Sequence, residues 1–279
     1  MVLNQTTIKK INEFVCSEPR TVQEVAFYLK KNWRTADSYL RKISEEVGTI
    51  SFKVLRGGTR GAVKIVYWNN VEKPYASQAQ ERLLRQLEIG KKMTDFSPFD
   101  IYQYLDDDKR SSFFEEQGEE IFNIKQDLVG SLRQAQQQVL IFSGGINWSN
   151  IKQGDVKLLD VFEELAKRDV SIKFLANIDI TSIENAKKMI AINNRIGKDR
   201  IAIRHCEQPL RSFIVDNSFA KMKEIKDPKD IAKPKKMYIF YELYDADWVK
   251  WIGKIFFHFF STAIPFEKRV QDLKTVKKL

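Results

Sequence analysis

The chain has 279 residues, of which 43% are hydrophobic and 30% are charged, with 12 glycines. This composition excludes collagen-like, low-complexity and wholly disordered proteins, and the length suits about two globular domains. Lysine and arginine number 47 against 37 for aspartate and glutamate, so the formal net charge is +10. The excess favours an anionic partner, but by itself it does not choose between nucleic acid and an anionic membrane surface.

The cysteines and the first residues predict where the protein works. Cys16 and Cys206 lie far apart and lack the C-x-x-C spacing of a redox or zinc motif, and residues 1–10 lack the apolar run of a signal peptide. The most apolar stretch, residues 248–265, is interrupted by charged side chains, which suits a buried helix better than a bilayer span. We therefore expect a cytoplasmic protein with reduced thiols and no membrane partner.

The positive charge is concentrated near the amino terminus. Residues 1–74 hold 13 lysines and arginines against 7 acidic residues, which is +6 of the total. Apolar spacing predicts three short helices there, with Thr21 and Glu24 forming a capping box at the second and Trp33 beginning the third. The predicted outer face of the third helix carries Arg34, Thr35, Asp37, Ser38, Arg41 and Lys42. Two β-rich runs follow, residues 50–55 and 62–68, joined by a glycine-containing turn, and they predict a hairpin.

This order of helices and basic hairpin resembles the winged helix-turn-helix transcription regulators. The matching residues are TVQEVA at 21–26, WRTADSYLRKI at 33–43 and the glycine-rich hairpin, or wing. The resemblance implies that the third helix reads the major groove and that the wing and helix ends hold phosphates. It assigns Arg34, Thr35, Ser38 and Arg41 to DNA bases or backbone, and Lys30, Lys31, Lys42, Arg56, Arg60 and Lys64 to phosphates. The alternatives are a merely solvated face and a protein-binding winged helix.

Residues 75–118 are predicted as a helical linker. A helix from Tyr75 to Met93 carries an apolar stripe, which would either pair with its twin in a homodimer on a palindromic site or pack on its own domain. The remainder is acidic and turn-rich. Asp106 to Asp108 are interpreted as a solvated turn rather than a metal site, and no metal or cofactor is predicted.

Strands and helices alternate from residue 119 to residue 264. The strands are expected at residues 139–142, 170–175, 200–203, 212–215 and 237–241. Their β-branched character predicts an α/β domain with a largely parallel buried sheet and a crevice at the carboxyl ends of the strands. A basic tail occupies residues 265–279. The predicted fold class is therefore α/β overall, with an amino-terminal winged helix-turn-helix.

This carboxy-terminal region resembles the phospholipase D-like fold, and more closely its degenerate version in TrmB-like archaeal regulators. The resemblance rests on the phrase ELAKRDVSIK at 164–173 and on the strand and aromatic helix between residues 238 and 260. The family signature is H-x-K-x-x-x-x-D. Aligned on Asp216, it places Arg211 at the lysine and Pro209 at the nucleophilic histidine. Because proline has neither a nucleophile nor a titratable proton, we expect no catalysis.

Other polar residues near this signature have alternative roles. His205 lies four residues before the nucleophile position and is expected to anchor a loop rather than to catalyse. Arg211 either holds a small anionic or sugar effector or pairs with Asp216. Ser143, at the start of a Gly-Gly turn, either helps to bind an anion or merely turns the chain. The lysine-rich segment 221–236 is predicted as a solvated loop, with extra phosphate contacts as the alternative.

Together these features predict a regulator that binds double-stranded DNA through its winged helix, with a catalytically inactive phospholipase D-like domain for effector binding or dimerisation. Two alternatives come from other classes of protein. The first is a phosphodiesterase or nuclease of the phospholipase D superfamily. The second is a protein-interaction module within a DNA-processing complex.

Overall fold

The computed structural model describes residues 3–47, 49–56, 62–68, 76–116, 127–226 and 236–276. The fold class is α/β, with a winged helix-turn-helix at the amino terminus followed by a larger α/β unit, as predicted. Within these ranges no helix is long and apolar enough to cross a membrane.

The elements of the winged helix form where local sequence patterns predict them. Its elements are α1 (Gln5–Ser17), β1 (Arg20–Thr21), α2 (Val22–Tyr28), α3 (Trp33–Lys42), β2 (Ile50–Arg56) and β3 (Ala62–Trp68). The capping box at α2 is confirmed, because Thr21 Oγ1 accepts from the Glu24 N–H at 3.1 Å and the Glu24 carboxylate accepts from the Thr21 N–H at 2.6 Å. Strands β2 and β3 form the predicted hairpin, and β1 adds to the free edge of β3. The wing tip, residues 57–61, lies outside the described residues.

The predicted linker belongs to the body of the protein. It contains α4 (Ala76–Ile89), α5 (Phe99–Tyr102) and β4 (Arg110–Glu116). Ala79, Leu83 and Leu87 on α4 are at most 1% exposed within this one chain, so the spacer alternative is correct for this face. These three residues are therefore not available for a coiled coil between two copies of α4. Strand β4 replaces the later part of the expected turn-rich segment, because it forms the edge of the main sheet, whereas Asp106 to Asp108 form an exposed turn as expected.

The second half supplies most of that sheet. Its elements are α6 (Leu128–Arg133), β5 (Gln138–Ser143), β6 (Lys152–Gln153), β7 (Val156–Lys157), α7 (Leu158–Lys167), β8 (Ser171–Ala176), α8 (Ile183–Ile196), β9 (Ile201–His205), β10 (Ser212–Val215), β11 (Phe219–Lys226), β12 (Met237–Leu243), α9 (Ala246–Thr262), β13 (Ile264–Pro265) and α10 (Phe266–Val276). The eight strands lie in the order β13-β9-β8-β5-β10-β11-β12-β4.

Two sequence predictions about this half were wrong. Only β5, β8 and β9 run parallel to one another, so the sheet is not largely parallel. The lysine-rich segment begins as strand β11, and residues 227–235 lie outside the described part. Most of the basic tail is helix α10.

Both faces of the sheet are covered by helices. On β5, Val139 and Ile141 belong to the apolar cluster that includes α7 and α8, whereas Leu140 and Phe142 belong to the cluster that includes α4 and α9. At the start of β5, Asp216 holds the chain in place by accepting from the backbone N–H groups of residues 136–138 at 2.8–3.0 Å. Both carboxylate oxygens of Asp216 thus accept hydrogen bonds from the backbone.

The winged helix and the sheet meet at a group of charged side chains. Lys226 Nζ lies 3.1 Å from Glu224 Oε1, 3.9 Å from Glu24 Oε1 and 3.2 Å from the Pro19 carbonyl oxygen. Burial and the charge of Glu224 raise the pKa of nearby Asp100 to about 7. The junction therefore contains a carboxyl group that titrates near neutrality.

Asp100 makes stability depend on pH. Between pH 3.8 and about pH 7 the folded chain keeps a proton that the unfolded chain has released, so the free energy of unfolding falls as pH rises through that interval. We expect Asp100→Asn to remove this component, changing the pH dependence by on the order of 1–2 kcal/mol. Urea unfolding at about pH 5 and about pH 8 measures it. Equal pH dependence in the variant and the parent would contradict the assignment.

Candidate nucleic-acid interface and ligand pocket

Helix α3 presents a basic face to solvent. Its N-cap Asn32 accepts from the Thr35 N–H at 2.8 Å, which fixes the start of the helix. Arg34 and Ser38 are exposed, Thr35 is half-buried, and the Arg41 side chain is 63% exposed. Lys42 is also exposed in the last turn. Most of the residues predicted to face DNA on this helix thus share an accessible surface.

The turn before α3 extends this basic surface. Lys30 and Lys31 are exposed, and the turn is closed by their backbone N–H groups, which donate to carbonyl oxygens of α2 at 2.9 Å. Lys30 has a φ of +53°, the left-handed conformation needed to reverse the chain here. A groove of about 510 Å³ adjoins the turn, and Lys10 of α1 lines it beside both lysines. Sequence reasoning missed Lys10, although its basic charge on α1 was visible.

Asp37 differs from its predicted position, and Lys64 is its partner. Asp37 is 6% exposed instead of lying on the outer face, because its carboxylate accepts from Lys64 Nζ at 2.7 Å and from Arg41 Nε at 2.9 Å. Burial acts to raise the pKa of Asp37, but these two cations hold it below its ordinary value. Lys64 also lies 4.0 Å from the centre of the Phe52 ring. Lys64 therefore joins α3 to β3 and is left out of the DNA-facing set that we propose.

For two residues of the predicted DNA-facing set, the structure does not describe the side chain. Arg60 falls in the undescribed wing tip, and the side chain of Arg56 is likewise outside the described part. Their phosphate contacts stay predictions from the sequence.

Ser143 and Arg211 meet at the predicted crevice. Ser143 ends β5, where its Oγ donates to the Gly145 carbonyl oxygen and accepts from Trp148 Nε1 at 3.1 Å. Arg211 immediately precedes β10, and its Nη1 donates to the Leu210 carbonyl oxygen at 2.7 Å. The alternative pairing of Arg211 with Asp216 is wrong, because Asp216 follows the other end of β10 and binds backbone groups.

A cavity of about 250 Å³ opens beside these residues. It is lined by Ser143, Trp148, Arg211, Phe213, Lys223 and Phe240, among others. Burial lowers the pKa of Arg211, and it lowers that of Lys223 against an opposing effect of Glu115. Sequence reasoning missed Lys223, because it assigned β11 to a solvated loop. The alternation of lysine with apolar residues from Ala220 onward was the available signal.

The two histidines have different hydrogen-bond partners and do not form a common site. His205 Nδ1 accepts from the Ile178 N–H at 2.9 Å, which is the predicted anchoring role, and burial followed by the charge of Arg269 lowers its pKa. His258 lies on α9 with its Nε2 2.9 Å from Glu88 Oε1. In the described ranges, no three histidine, cysteine or carboxylate groups converge as a metal site.

No protein-family model and no curated protein sequence matches the chain. Among solved structures it is similar to TrmBL2, an archaeal chromatin protein with a novel mode of DNA binding, at 18% identity and a TM-score of 0.41 over 94% of each chain. It is also similar to Nuc, a phospholipase D family member from Salmonella typhimurium, at 11% identity and a TM-score of 0.39, over 56% of this chain and 98% of Nuc. NucT from Helicobacter pylori gives 9% identity and 0.40, over 56% and 99%. At these identities and scores the similarities do not establish a function.

Proposed function

We propose that the protein is a transcription regulator that binds double-stranded DNA through α3 and the turn before it. The observation that carries the proposal is the accessible basic face of α3, where Arg34 and Lys42 are both exposed to solvent. Asp37, the acidic residue within α3, is turned inward by Lys64 and Arg41. The face left to solvent is therefore positive, as contact with phosphates requires.

The α/β unit is proposed to act as an effector domain rather than as an enzyme. Support comes from Pro209, which occupies the nucleophile position of the phospholipase D signature, and from His205, whose Nδ1 is engaged by the Ile178 backbone. A phosphodiester reporter cleaved by the purified protein, with the activity lost in His205→Ala, would contradict this part of the proposal.

The homodimer remains a prediction, and α4 does not supply its interface because its apolar stripe is buried in its own chain. Sedimentation equilibrium with and without DNA measures the mass. A mass of 32.7 kDa without DNA, together with one protein chain per duplex in the complex, would contradict the dimer.

The salt dependence of DNA binding tests the proposal. Fluorescence anisotropy with a random-sequence duplex should give a slope of log K against log salt of about −3 to −5, because exposed basic groups release counterions from phosphates. Lys31→Ala should make the slope less steep by about 1. Lys250→Met, which removes one exposed cation from α9 instead, should leave the slope unchanged. A salt-independent affinity, or the same change in slope for both variants, would contradict the proposed surface.

A further inference from the structure

We propose that the cavity beside Arg211 binds a small organic acid, with the carboxylate held by Arg211, with Lys223 as the second cation of the cavity wall, and with an apolar body held against the aromatic walls. The inference rests on the proposed effector role of the α/β unit and adds the chemical class of the effector.

The first argument is that two cations stand side by side on neighbouring strands. Lys223 N–H donates to the Arg211 carbonyl oxygen at 2.7 Å, in register with the adjacent pair Ser212 and Met222. Like charges directly across a sheet destabilise it. Both side chains are half-buried, and burial lowers the pKa of each, so each positive charge carries a desolvation cost. Lys223 Nζ lies 4.1 Å from the centre of the Tyr238 ring and is also attracted by Glu115, so an anion in the cavity would chiefly offset the cost at Arg211.

The second argument compares Arg211 with Lys221, which also lines the cavity. Lys221 Nζ lies 2.9 Å from Glu242 Oε1, so its charge is neutralised inside the protein. Arg211, in contrast, forms no ion pair within the described ranges, and its hydrogen bonds there run from Nη1 to backbone carbonyl oxygens. Its Nε and Nη2 thus keep donors for a ligand. Two parallel N–H groups of a guanidinium match the two oxygens of a carboxylate.

The third argument is the backbone beside Arg211. A Cβ atom at Gly144 would lie 2.6 Å from Arg211 Nη2 and 2.7 Å from Nε, so the guanidinium occupies space that only glycine leaves free. At the adjacent Gly145 a Cβ would meet no atom within 4 Å. The position of the guanidinium therefore depends on one glycine of the pair and not on the other.

The fourth argument concerns the rest of the ligand. Trp148, Phe213 and Phe240 contribute aromatic side chains, and Leu128 and Ile151 contribute aliphatic ones. A sugar or an inorganic phosphate would bring polar groups that these walls do not satisfy, and unsatisfied buried polar groups are costly. The walls favour a carboxylate with an aromatic or aliphatic body over the sugar and phosphate ligands.

The test uses 2-naphthoate as the probe, 2-naphthalenemethanol as its neutral counterpart, and inorganic phosphate as an anion without an apolar body. Isothermal titration calorimetry of the full chain should show one site for 2-naphthoate, with affinity about tenfold or more above that for either control. Equal affinity for the neutral alcohol would overturn the role of the cations, and tighter binding of phosphate would overturn the ligand class. Absence of 2-naphthoate binding would overturn the site.

Paired variants locate the site. Gly144→Ala should weaken 2-naphthoate binding about tenfold or more by displacing the guanidinium, whereas Gly145→Ala should leave it unchanged. Arg211→Met gives a second reading should Gly144→Ala fail to fold, and Lys250→Met, at an exposed position on α9, controls for the loss of one positive charge. Equal effects of Gly144→Ala and Gly145→Ala, or binding unaffected by Arg211→Met, would overturn the proposal. DNA binding that persists while 2-naphthoate fails to bind would reject the pocket and leave the proposed function standing.

Discussion

Arg34→Ala combined with Arg41→Ala should lower affinity for a preferred DNA site by at least about 30-fold, since each arginine at a base edge contributes roughly 1–3 kcal/mol. Both side chains are exposed on α3, the helix proposed to enter the major groove. Electrophoretic mobility shift and anisotropy measurements at one fixed salt concentration give the ratio of affinities. The loss should be greater on the preferred site than on random DNA, because base contacts carry the specificity.

The matched control removes two positive charges from a different helix. Lys250→Ala with Lys254→Ala deletes two exposed cations from α9 and should change affinity only weakly. The free energy of unfolding is measured for both double variants, since Arg41 also hydrogen-bonds to Asp37. A folded α3 variant that binds as tightly as the parent, or an equal loss in the α9 variant, would remove α3 as the reading helix.

Asp37→Ala should produce the largest loss of stability among the changes considered, about 3 kcal/mol or more. The Asp37 side chain is 9% exposed and the Lys64 side chain 16%, so removing the carboxylate leaves a largely buried ammonium without its counterion. Because the pKa of Asp37 is lowered on folding, its stabilising effect is present above about pH 3.8 and is lost as pH falls below that value. Urea unfolding near neutral pH measures the difference in free energy.

Two further variants separate the ion pair from general damage. Asp37→Ala combined with Lys64→Met should recover much of the lost stability, because no buried charge then remains unpaired. Asp108→Ala, at an exposed aspartate, should change stability by less than about 0.5 kcal/mol. Additive losses in the double variant would show that Asp37 and Lys64 do not act as a pair.

The winged helix could be predicted from sequence because its signals are local. The capping box joins Thr21 to Glu24 three residues away, and the apolar stripe of α3 repeats within one helix. Asp37 was misplaced because its partner Lys64 is 27 residues distant and on another element. Helical periodicity identifies which positions share a face, but it does not identify a polar residue that a distant cation draws inward.

In the sheet, too, contacts between residues distant in sequence could not be predicted. Strand β11 was taken for a solvated loop because it is rich in lysine, but the pairing of Lys221 with Glu242 on β12 helps to compensate for its burial. The relative direction of the strands could not be predicted either, since β-branched runs do not specify whether neighbouring strands are parallel. Of the pocket, Arg211 followed from the phospholipase D-like signature and Ser143 from the Gly-Gly turn at a strand end, while Lys223 required the register of β10 and β11.

Selection of bound duplexes from a random pool tests the central claim most directly, because it measures DNA binding and sequence preference together. The parent protein should enrich a discrete sequence motif, and the Arg34→Ala, Arg41→Ala variant should lose that enrichment while remaining folded. Failure of the parent to enrich any motif, or enrichment of the same motif by the variant, would contradict DNA reading by α3.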